Sequence, residues 1–551
     1  MVPWRLAEGE KLYRDIHFHH GPLGPWLAAA SDHIVGRSLP ARIVLASLIA
    51  LLHLAALERL SRRVLSPWRA ALATSGAVAA AMFLRPGGWL FPFSLDTAIV
   101  VAALTWACVF QDRSDPRGRD GVAGGLLAVA LLARPEMGLA AMAVFAFAAR
   151  REPARLLRLA VFPLAVAGAA YAALSAGLPR DRLVADGWLR FLDPPEAFAN
   201  VYRSYAGLDR IGLRVAELLL AALVLALAAT LLAAGAFFAA RAGARSRSAA
   251  ALPGLVAIGI LAAAATLWFY PPEALAETLG LFPPLVRVIP PLLVAGAVLR
   301  LLARLRRREP RGPLSEVPDT MLWIAALFSL RLFLAAGYVG PYPAFFLPLP
   351  LLVAFAGAFG LADRAAPALG GALPRLTAAA LGVFVLFRAA AVTQLYRGRP
   401  WSRVDTPVGS LRLTEPVAAA TREALEDLAR RLPDRATLAG FPETGFYNYT
   451  LGRRSPFWLD QFFPGHLDEA GEAGAIRVLD THPPDALLYA NVLATGEGAR
   501  VFGRDYSARL DAAARARFRT AAVYGPGALP GARIGDPGFF VEVLVPAKKG
   551  P

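Results

Sequence analysis

Cysteine is almost absent from this sequence. The chain has 551 residues and a single cysteine, Cys108, which lies inside an apolar run. One thiol cannot form a disulfide framework within the chain, and it supplies no cysteine-based metal site. Disulfide scaffolds and cysteine-bound structural metals are therefore excluded.

Common catalytic motifs are also missing. No GxxxxGK[ST] loop, no Rossmann glycine fingerprint after a strand, no HExxH and no GxSxG occurs in the sequence. Nucleotide-driven transport and zinc proteolysis therefore lack their usual signatures. The first 20 residues contain no apolar h-region, so no secretory signal peptide is predicted.

Charged residues are scarce. They make up 18% of the chain, against about 25% in an ordinary soluble domain. Hydrophobic residues make up 56%, and the mean hydropathy is +0.48. The formal charge of +17 would indicate nucleic-acid binding in a soluble protein. In a chain this apolar, excess arginine in cytoplasmic loops explains the charge, so we predict a lipid bilayer and no nucleic acid as partner.

Apolar segments recur from residue 41 to residue 392. About twelve reach or approach the ~17–25 residues that cross ~30 Å of hydrocarbon. The short pair at 121–134 and 136–150 predicts either two tilted helices or a re-entrant hairpin. The predicted segments are 41–58, 67–85, 94–111, 121–134, 136–150, 155–177, 212–240, 250–270, 283–303, 320–338, 343–361 and 370–392.

Arginine clusters set the predicted orientation. They occupy alternate connections, at 59–63, 113–119, 150–155, 241–247 and 304–311, and such clusters mark the cytoplasmic side. The fold class is therefore an α-helical polytopic membrane protein with a small C-terminal α/β domain. We predict an extracytoplasmic first loop with an amphipathic helix at 1–40, a transmembrane domain at 41–395 and an extracytoplasmic α/β domain at 396–551. The expected location is the bacterial cytoplasmic (inner) membrane.

The C-terminal region has the composition of a soluble domain. Thr414 and Pro416 signal the start of a helix that runs to about residue 432. Further helices are predicted at 467–480 and 506–519, and strands at 437–441, 486–489, 521–524 and 539–545. This alternation is typical of an α/β domain.

The first loop concentrates polar side chains just ahead of a membrane segment. Arg14, Asp15 and His20 stand there with His17 and His19. A carboxylate can take the proton of an attacking hydroxyl, so Asp15 is a candidate catalytic residue, and Arg14 and His20 are candidate substrate-binding residues. The alternative is a solvated aspartate paired with Arg14. No cofactor is predicted with certainty, although the three imidazoles with Asp15 leave a divalent metal open.

Further candidates lie near the predicted outer ends of membrane segments. Asp96 marks either a polar cavity or a helix N-terminus, and it is the second catalytic candidate. Arg134 and Glu136 flank a proline, where they bind substrate or simply pair with each other. Arg331 is expected about two turns inside a helix end, where a guanidinium binds a lipid phosphate or snorkels to the surface. Tyr342 is a substrate-binding candidate, or else an interfacial aromatic.

These motifs resemble those of a known superfamily. GEKLYRD at 9–15, followed by HGPL at 20–23, resembles the first outer loop of bacterial polytopic glycosyltransferases of the GT-C superfamily. Its members include protein O-mannosyltransferases and lipid A aminoarabinose transferases. Asp96, RPE at 134–136, Arg331 and Tyr342 fit the same layout, which covers most of the chain. The resemblance implies transfer of a sugar from a polyprenyl-phosphate carrier at the outer face, with inversion and an acidic base.

One part of the superfamily pattern is missing. The resemblance implies a main catalytic acid in an Asp-Glu pair that follows a first membrane helix, upstream of GEKLYRD. No such pair precedes residue 9. We expect either one more helix upstream of Met1, giving about thirteen, or insertion of the 41–58 segment with its N-terminus outside.

Two function classes follow. The first is a membrane glycosyltransferase that moves a sugar from a polyprenyl-phosphate-linked donor to a glycan, lipid or protein acceptor at the outer face. The alternative is a non-enzymatic transporter or assembly factor whose outer domain binds polysaccharide. Transporters often show paired repeats with interrupted helices. No convincing internal repeat occurs here and the polar groups gather on one predicted face, so the sequence favours the transferase.

Overall fold

The computed structural model describes residues 1–81, 94–111, 116–243, 282–306, 314–334, 343–369, 372–397, 400–492, 500–525, 534–535 and 537–547. The chain divides into two compact units. The helical unit comprises Ala46–Ala170 and Tyr202–Gly398. The mixed unit comprises Met1–Leu45, Tyr171–Val201 and Arg399–Pro551.

The helices of the described residues, in chain order, are α1 Val2–Ala7, α2 Leu23–Val35, α3 Leu39–Val64, α4 Pro67–Ala81, α5 Leu95–Phe110, α6 Pro116–Ala133, α7 Pro135–Ala149, α8 Pro153–Leu156, α9 Phe162–Ser175, α10 Arg180–Asp186, α11 Glu196–Ala206, α12 Ile211–Gly243, α13 Phe282–Leu305, α14 Asp319–Leu330, α15 Pro348–Leu369, α16 Leu373–Arg397, α17 Glu415–Arg431, α18 Gly445–Leu451, α19 Glu469–Thr481 and α20 Ala508–Arg517. A π-helical turn, Leu157–Val161, joins α8 to α9, and 3₁₀ turns occur at Trp188–Phe191 and Pro343–Phe346. The strands are β1 Trp401–Thr406, β2 Gly409–Thr414, β3 Leu438–Phe441, β4 Ala486–Ala490, β5 Phe518–Tyr524 and β6 Val541–Pro546.

Long apolar helices dominate the helical unit. Among the described residues, five helical stretches of the chain are long and apolar enough to cross a membrane, and α5, α7 and α14 are shorter apolar helices. Many of their exposed side chains are apolar, which is the pattern expected of helices whose outer surface contacts lipid and not water. The chain is therefore a mostly helical, multi-pass membrane protein. The predicted segment at 250–270 lies outside the described residues, so the total of about twelve stays a prediction.

The short apolar pair of the sequence forms two helices that meet at one residue. Arg134 separates α6 from α7 and is the N-cap of α7, with extended backbone angles of φ −146° and ψ 96°. Pro135 takes the first helical position, where a missing N–H costs nothing. Gly138 lies against the backbone of α6, because a Cβ there would come within 2.6 Å of the Leu131 Cα. This tight junction fixes where the Arg134 side chain begins.

The expectation of a helix over 320–338 is wrong at its outer end. α14 ends at Leu330, Arg331 is its C-cap, and the chain continues in turns to Leu334. The Leu334 amide donates to the Ala206 carbonyl at 2.8 Å, so a contact within the helical unit replaces the next helical hydrogen bond. Arg331 therefore lies at a helix end and not two turns inside one. Tyr342 lies outside the described residues.

The mixed unit contains the predicted sheet. The four strands are ordered β3-β4-β6-β5. β3 runs parallel to β4, and β6 runs antiparallel to both of its neighbours. The alternation of helices and strands expected after residue 401 is confirmed. A separate antiparallel hairpin, β1 with β2, was not expected from the sequence.

Both faces of this sheet are buried, which explains its apolar strands. Phe441 and Tyr489 pack on one face with residues of α19 and α20. Leu438 and Leu488 pack on the other face with residues of α17. Side chains thus alternate along β3 and β4 between two hydrophobic layers, as the strand period of two requires.

The first loop belongs to the same unit. Buried Arg5, on α1, donates to Asp460 Oδ1 at 2.9 Å, to the Phe457 carbonyl at 2.9 Å and to Glu10 Oε2 at 2.6 Å. The His17 amide donates to the Trp458 carbonyl at 2.8 Å. These bonds hold the predicted first loop on the segment that follows α18.

Candidate functional sites

The start of α5 presents a hydroxyl pair to the interior of the helical unit. Ser94 is the N-cap of α5, and its hydroxyl accepts from the Thr97 amide. The Thr97 hydroxyl donates to Ser94 Oγ at 2.8 Å. A serine at this position satisfies one of the amide groups that a helix start leaves unpaired. Thr97, fully buried, is thereby oriented for a further contact.

Three helices bring an arginine pair around one carboxylate oxygen. Arg134 donates through Nη1 to Thr97 Oγ1 at 2.8 Å and through Nε to Glu136 Oε1 at 2.9 Å. Arg331 donates through Nη2 to the same Glu136 oxygen at 3.1 Å. The sequence analysis expected these three charged residues as substrate-binding candidates, and α5, α7 and α14 do bring them together. We call Arg134, Glu136 and Arg331 the arginine pair site.

The three side chains that define the arginine pair site, two guanidinium groups and one carboxylate, together carry a charge of +1. Arg134 is 1% exposed, whereas Arg331 is 23% exposed. The Arg331 guanidinium also lies 5.5 Å from the ring centre of Tyr202 and 6.0 Å from that of Phe346. Aromatic faces stabilise a cation and exclude water from it. Arg331 is thus the accessible half of the pair, and a phosphate oxygen is a natural acceptor for its fork of N–H groups.

Asp96 lies in the first turn of α5 and is 3% exposed. A carboxylate there is favoured by the partial positive charge of the helix N-terminus. This geometry matches the helix-terminus alternative in the sequence analysis. It leaves the proposed catalytic role as a prediction.

In the mixed unit, Asp15 is paired with Arg14, which is the alternative that the sequence analysis gave for this residue. Arg14 donates to both Asp15 oxygens at 2.9 Å, and the Lys11 amide donates to one of them at 2.9 Å. The hydrogen bond from Arg14 holds the pKa of Asp15 below its usual range. Asp15 is therefore ionised at neutral pH, so it can accept a proton, although the Arg14 pairing lowers its basicity.

The histidines of the first loop meet a histidine far away in the sequence. The ring centres of His17, His19 and His466 lie 5.9–6.0 Å apart, and we call these three residues the imidazole triad. The ring centre of His20 lies 4.1 Å from that of His19, with the two rings tilted by 58°, and the His20 carbonyl accepts from the Tyr13 hydroxyl at 2.7 Å. His466 is held by a contact of 2.9 Å between its Nδ1 and the Gln461 carbonyl. Sequence reasoning missed His466 because no local motif surrounds it.

Burial makes the imidazole triad neutral. Loss of water lowers the pKa of His17, and it lowers the pKa of His19 and of His466 well below the usual value. His17 Nδ1 lies 3.2 Å from Asp186 Oδ1, so Nδ1 carries the proton in the neutral ring. The described residues include no group of three or more histidine, cysteine or acidic side chains that fits a metal ion.

Comparisons with solved structures include distant likenesses to membrane enzymes. No protein-family model and no curated protein sequence matches the chain. ArnT from Cupriavidus metallidurans bound to undecaprenyl phosphate is similar at 15% identity, over 98% of this chain and 92% of that chain, with a TM-score of 0.42. The same protein in the apo state is similar at 14% identity, over 96% and 88%, with a TM-score of 0.41.

An archaeal structure gives a similar result. The oligosaccharyltransferase of Archaeoglobus fulgidus in the apo form is similar at 17% identity, over 93% of this chain and 66% of that chain, with a TM-score of 0.40. Both proteins are GT-C glycosyltransferases. That is the superfamily which the first-loop motif resembles.

Proposed function

We propose that the protein is a membrane glycosyltransferase that takes a sugar from a polyprenyl-phosphate carrier. The observation that carries the proposal is the arginine pair site, where Arg134 and Arg331 share one oxygen of Glu136. The GEKLYRD and HGPL motifs of the first loop add support from the sequence. We place the reaction at the outer face of the bacterial inner membrane, because the site lies on the side opposite to the arginine clusters.

The charge of the arginine pair site suits the donor. A sugar linked through a phosphodiester carries one negative charge, and the partly exposed Arg331 guanidinium offers it a positive one. When the sugar leaves, the carrier becomes a phosphate monoester with more negative charge, about −1.5 to −2 at neutral pH. A guanidinium fork binds this product more strongly than the donor, so it stabilises the leaving group as charge develops.

The proposed reaction is a single displacement with inversion. The acceptor hydroxyl oxygen forms a bond to the anomeric carbon while the bond from that carbon to the phosphate oxygen breaks. The bonding electrons leave with the carrier phosphate near Arg331, and the hydroxyl proton passes to a carboxylate. From the sequence we propose Asp96 and Asp15 as alternative candidates for that base. The acceptor is a glycan, lipid or protein.

Transfer assays on arginine variants test this function. Membranes containing the protein receive a polyprenyl-phosphate sugar carrying a radiolabel, and transfer to endogenous acceptors is measured. Arg331→Ala should reduce transfer by about ten- to a hundredfold, since one charge-assisted contact contributes about 1.5–3 kcal/mol. Arg331→Lys should recover only part of it, because an ammonium lacks the planar fork.

Arg62→Ala is the matched control. Arg62 is 61% exposed and pairs only with Glu58 among the contacts described for it. Full transfer by folded Arg331→Ala would contradict the proposal, as would equal losses in both variants. Carrier binding without transfer by the wild-type protein would favour the non-enzymatic alternative.

A further inference from the structure

A polar cavity lies in the helical unit, and none of the residues of the arginine pair site lines it. Its volume is about 410 Å³. It opens where α3 ends and α4 begins, beside α15 and the segment that precedes α14. The residues that matter here are Val64, Leu65, Trp68, Arg69, Glu316 and Asp363.

The cavity lies at the end of the helices that the sequence predicts to face the cytoplasm. The last turn of α3 carries Arg62 and Arg63, and the last turn of α13 carries Arg304. Trp68 is 53% exposed at this level. Tryptophan prefers the depth of lipid head groups, where its ring is half in hydrocarbon and its N–H is wet. The exposed Trp68 beside the cavity therefore suits the depth of lipid head groups.

One wall of the cavity holds a fixed cation and anion. Arg69 binds Asp363 with both terminal nitrogens, at 2.6 Å and 3.1 Å. Its guanidinium also lies 5.4 Å from the Trp68 ring centre and 5.2 Å from that of Phe359. Asp363 keeps 49% of its side-chain surface exposed, so its carboxylate remains accessible to a ligand in the cavity.

The lining also includes Glu316, which is exposed and forms no ion pair among the described residues. Both of its chain neighbours are held by hydrogen bonds. Arg300 donates to the Val317 carbonyl at 2.6 Å, directly after it. Arg364 donates to Ser315 Oγ at 2.6 Å, directly before it. These two bonds hold the chain on both sides of Glu316, so the lining of the cavity is ordered at the point where this side chain begins.

We propose that this cavity binds the head group of a zwitterionic phospholipid with a primary ammonium, of the phosphatidylethanolamine class. Two carboxylates, Glu316 and Asp363, offer acceptors for the three N–H donors of an ammonium. Arg69 supplies a donor for the adjoining phosphodiester. The apolar side chains of Val64 and Leu65 and the exposed Trp68 suit a lipid better than a free head group. A quaternary choline has no N–H to donate, and an anionic lipid would meet two carboxylates.

Lipid retention by the purified full chain tests the proposal. The protein is extracted from membranes with equal amounts of phosphatidylethanolamine, phosphatidylglycerol and phosphatidylcholine, and the retained lipids are counted by native mass spectrometry. We expect phosphatidylethanolamine to be enriched. Glu316→Gln should reduce that enrichment about three- to tenfold, the effect of losing one partly exposed charge-assisted bond.

Glu58→Gln is the control, because Glu58 lies on α3 and pairs with Arg62 outside the cavity. Asp363→Asn is a second variant and should give a loss like that of Glu316→Gln, with circular dichroism confirming the fold. Equal retention by wild type and Glu316→Gln would overturn the proposal, and so would a preference for phosphatidylglycerol or phosphatidylcholine. Displacement of the lipid by millimolar soluble phosphoethanolamine would overturn the choice of a lipid.

Discussion

Glu136 holds two guanidinium groups at once, so its removal should destabilise the helical unit. Its Oε1 accepts from Arg134 Nε at 2.9 Å and from Arg331 Nη2 at 3.1 Å. Arg134 is 1% exposed, so water cannot hydrate its guanidinium when the carboxylate is lost. The two cations then also repel each other through a medium of low dielectric.

The size of the effect follows from burial. Removing one partner of a fully buried pair costs about 3–5 kcal/mol. Glu136 is 22% exposed and Arg331 is 23% exposed, so solvent screens part of the interaction. We expect a loss of about 2–3 kcal/mol for Glu136→Ala. Glu136→Gln keeps an acceptor oxygen but loses the charge, so its loss should be smaller, about 1–2 kcal/mol.

Thermal unfolding of the purified protein in detergent measures this effect. A chain with two compact units does not unfold in two states, so the transition temperature is the quantity to compare. Glu136→Ala should lower it by roughly 2–6 °C, and Glu136→Gln by less. Glu152→Ala is the control, because Glu152 pairs with Arg155 and is 56% exposed. An unchanged transition in Glu136→Ala would show that the shared contact contributes nothing to folding.

Three further predictions concern the mixed unit. Asp15→Asn should lower transfer turnover more than donor binding if Asp15 is the base, and unchanged turnover in a folded variant would leave it a structural partner of Arg14. The protein should lose stability as pH falls below about 6.5, because the imidazoles bind protons in the unfolded chain but stay neutral in the folded triad. The loss should reach up to about 1.4 kcal/mol per pH unit for each imidazole. A transition temperature unchanged from pH 7.5 to 5 would contradict this. Arg5→Met should lower the transition temperature by several degrees because it leaves Asp460, 10% exposed, without that partner; a control variant, Arg403→Met on an exposed pair, should have no effect.

Much of the architecture follows from local patterns in the sequence. Apolar runs predicted the long helices because only a helix satisfies its own backbone in lipid. Pro135 marked the junction between α6 and α7, because a proline is tolerated at a helix start and disfavoured inside one. The strands after residue 437 were predicted from short apolar runs between helical stretches, and the sheet confirms them.

Tertiary contacts explain what local patterns missed. α14 ends at Leu330 although apolar residues continue, since the chain turns to meet Ala206, a contact from a distant segment. The β1–β2 hairpin had a local signal in Pro407 and in Gly409, whose φ of +132° favours glycine. Both strands are too polar to resemble the apolar strands of the main sheet.

In the candidate sites, too, some contacts follow from local sequence and others depend on tertiary packing. Arg134 and Glu136 are neighbours in the sequence, so their pairing could be predicted. That Arg331 reaches the same carboxylate oxygen depends on how α7 and α14 pack, and no pattern in one sequence encodes that distance. His466 joins the imidazole triad through the fold of the mixed unit alone.

Direct binding of carrier phosphate tests the central claim, that the arginine pair site recognises a polyprenyl phosphate. Undecaprenyl phosphate is titrated into the purified protein, and bound lipid is measured for the wild type, Arg331→Ala, Arg331→Lys and the control Arg62→Ala. We predict about ten- to a hundredfold weaker binding for Arg331→Ala, partial recovery for Arg331→Lys and wild-type binding for the control. Equal affinities in wild type and folded Arg331→Ala would contradict the account.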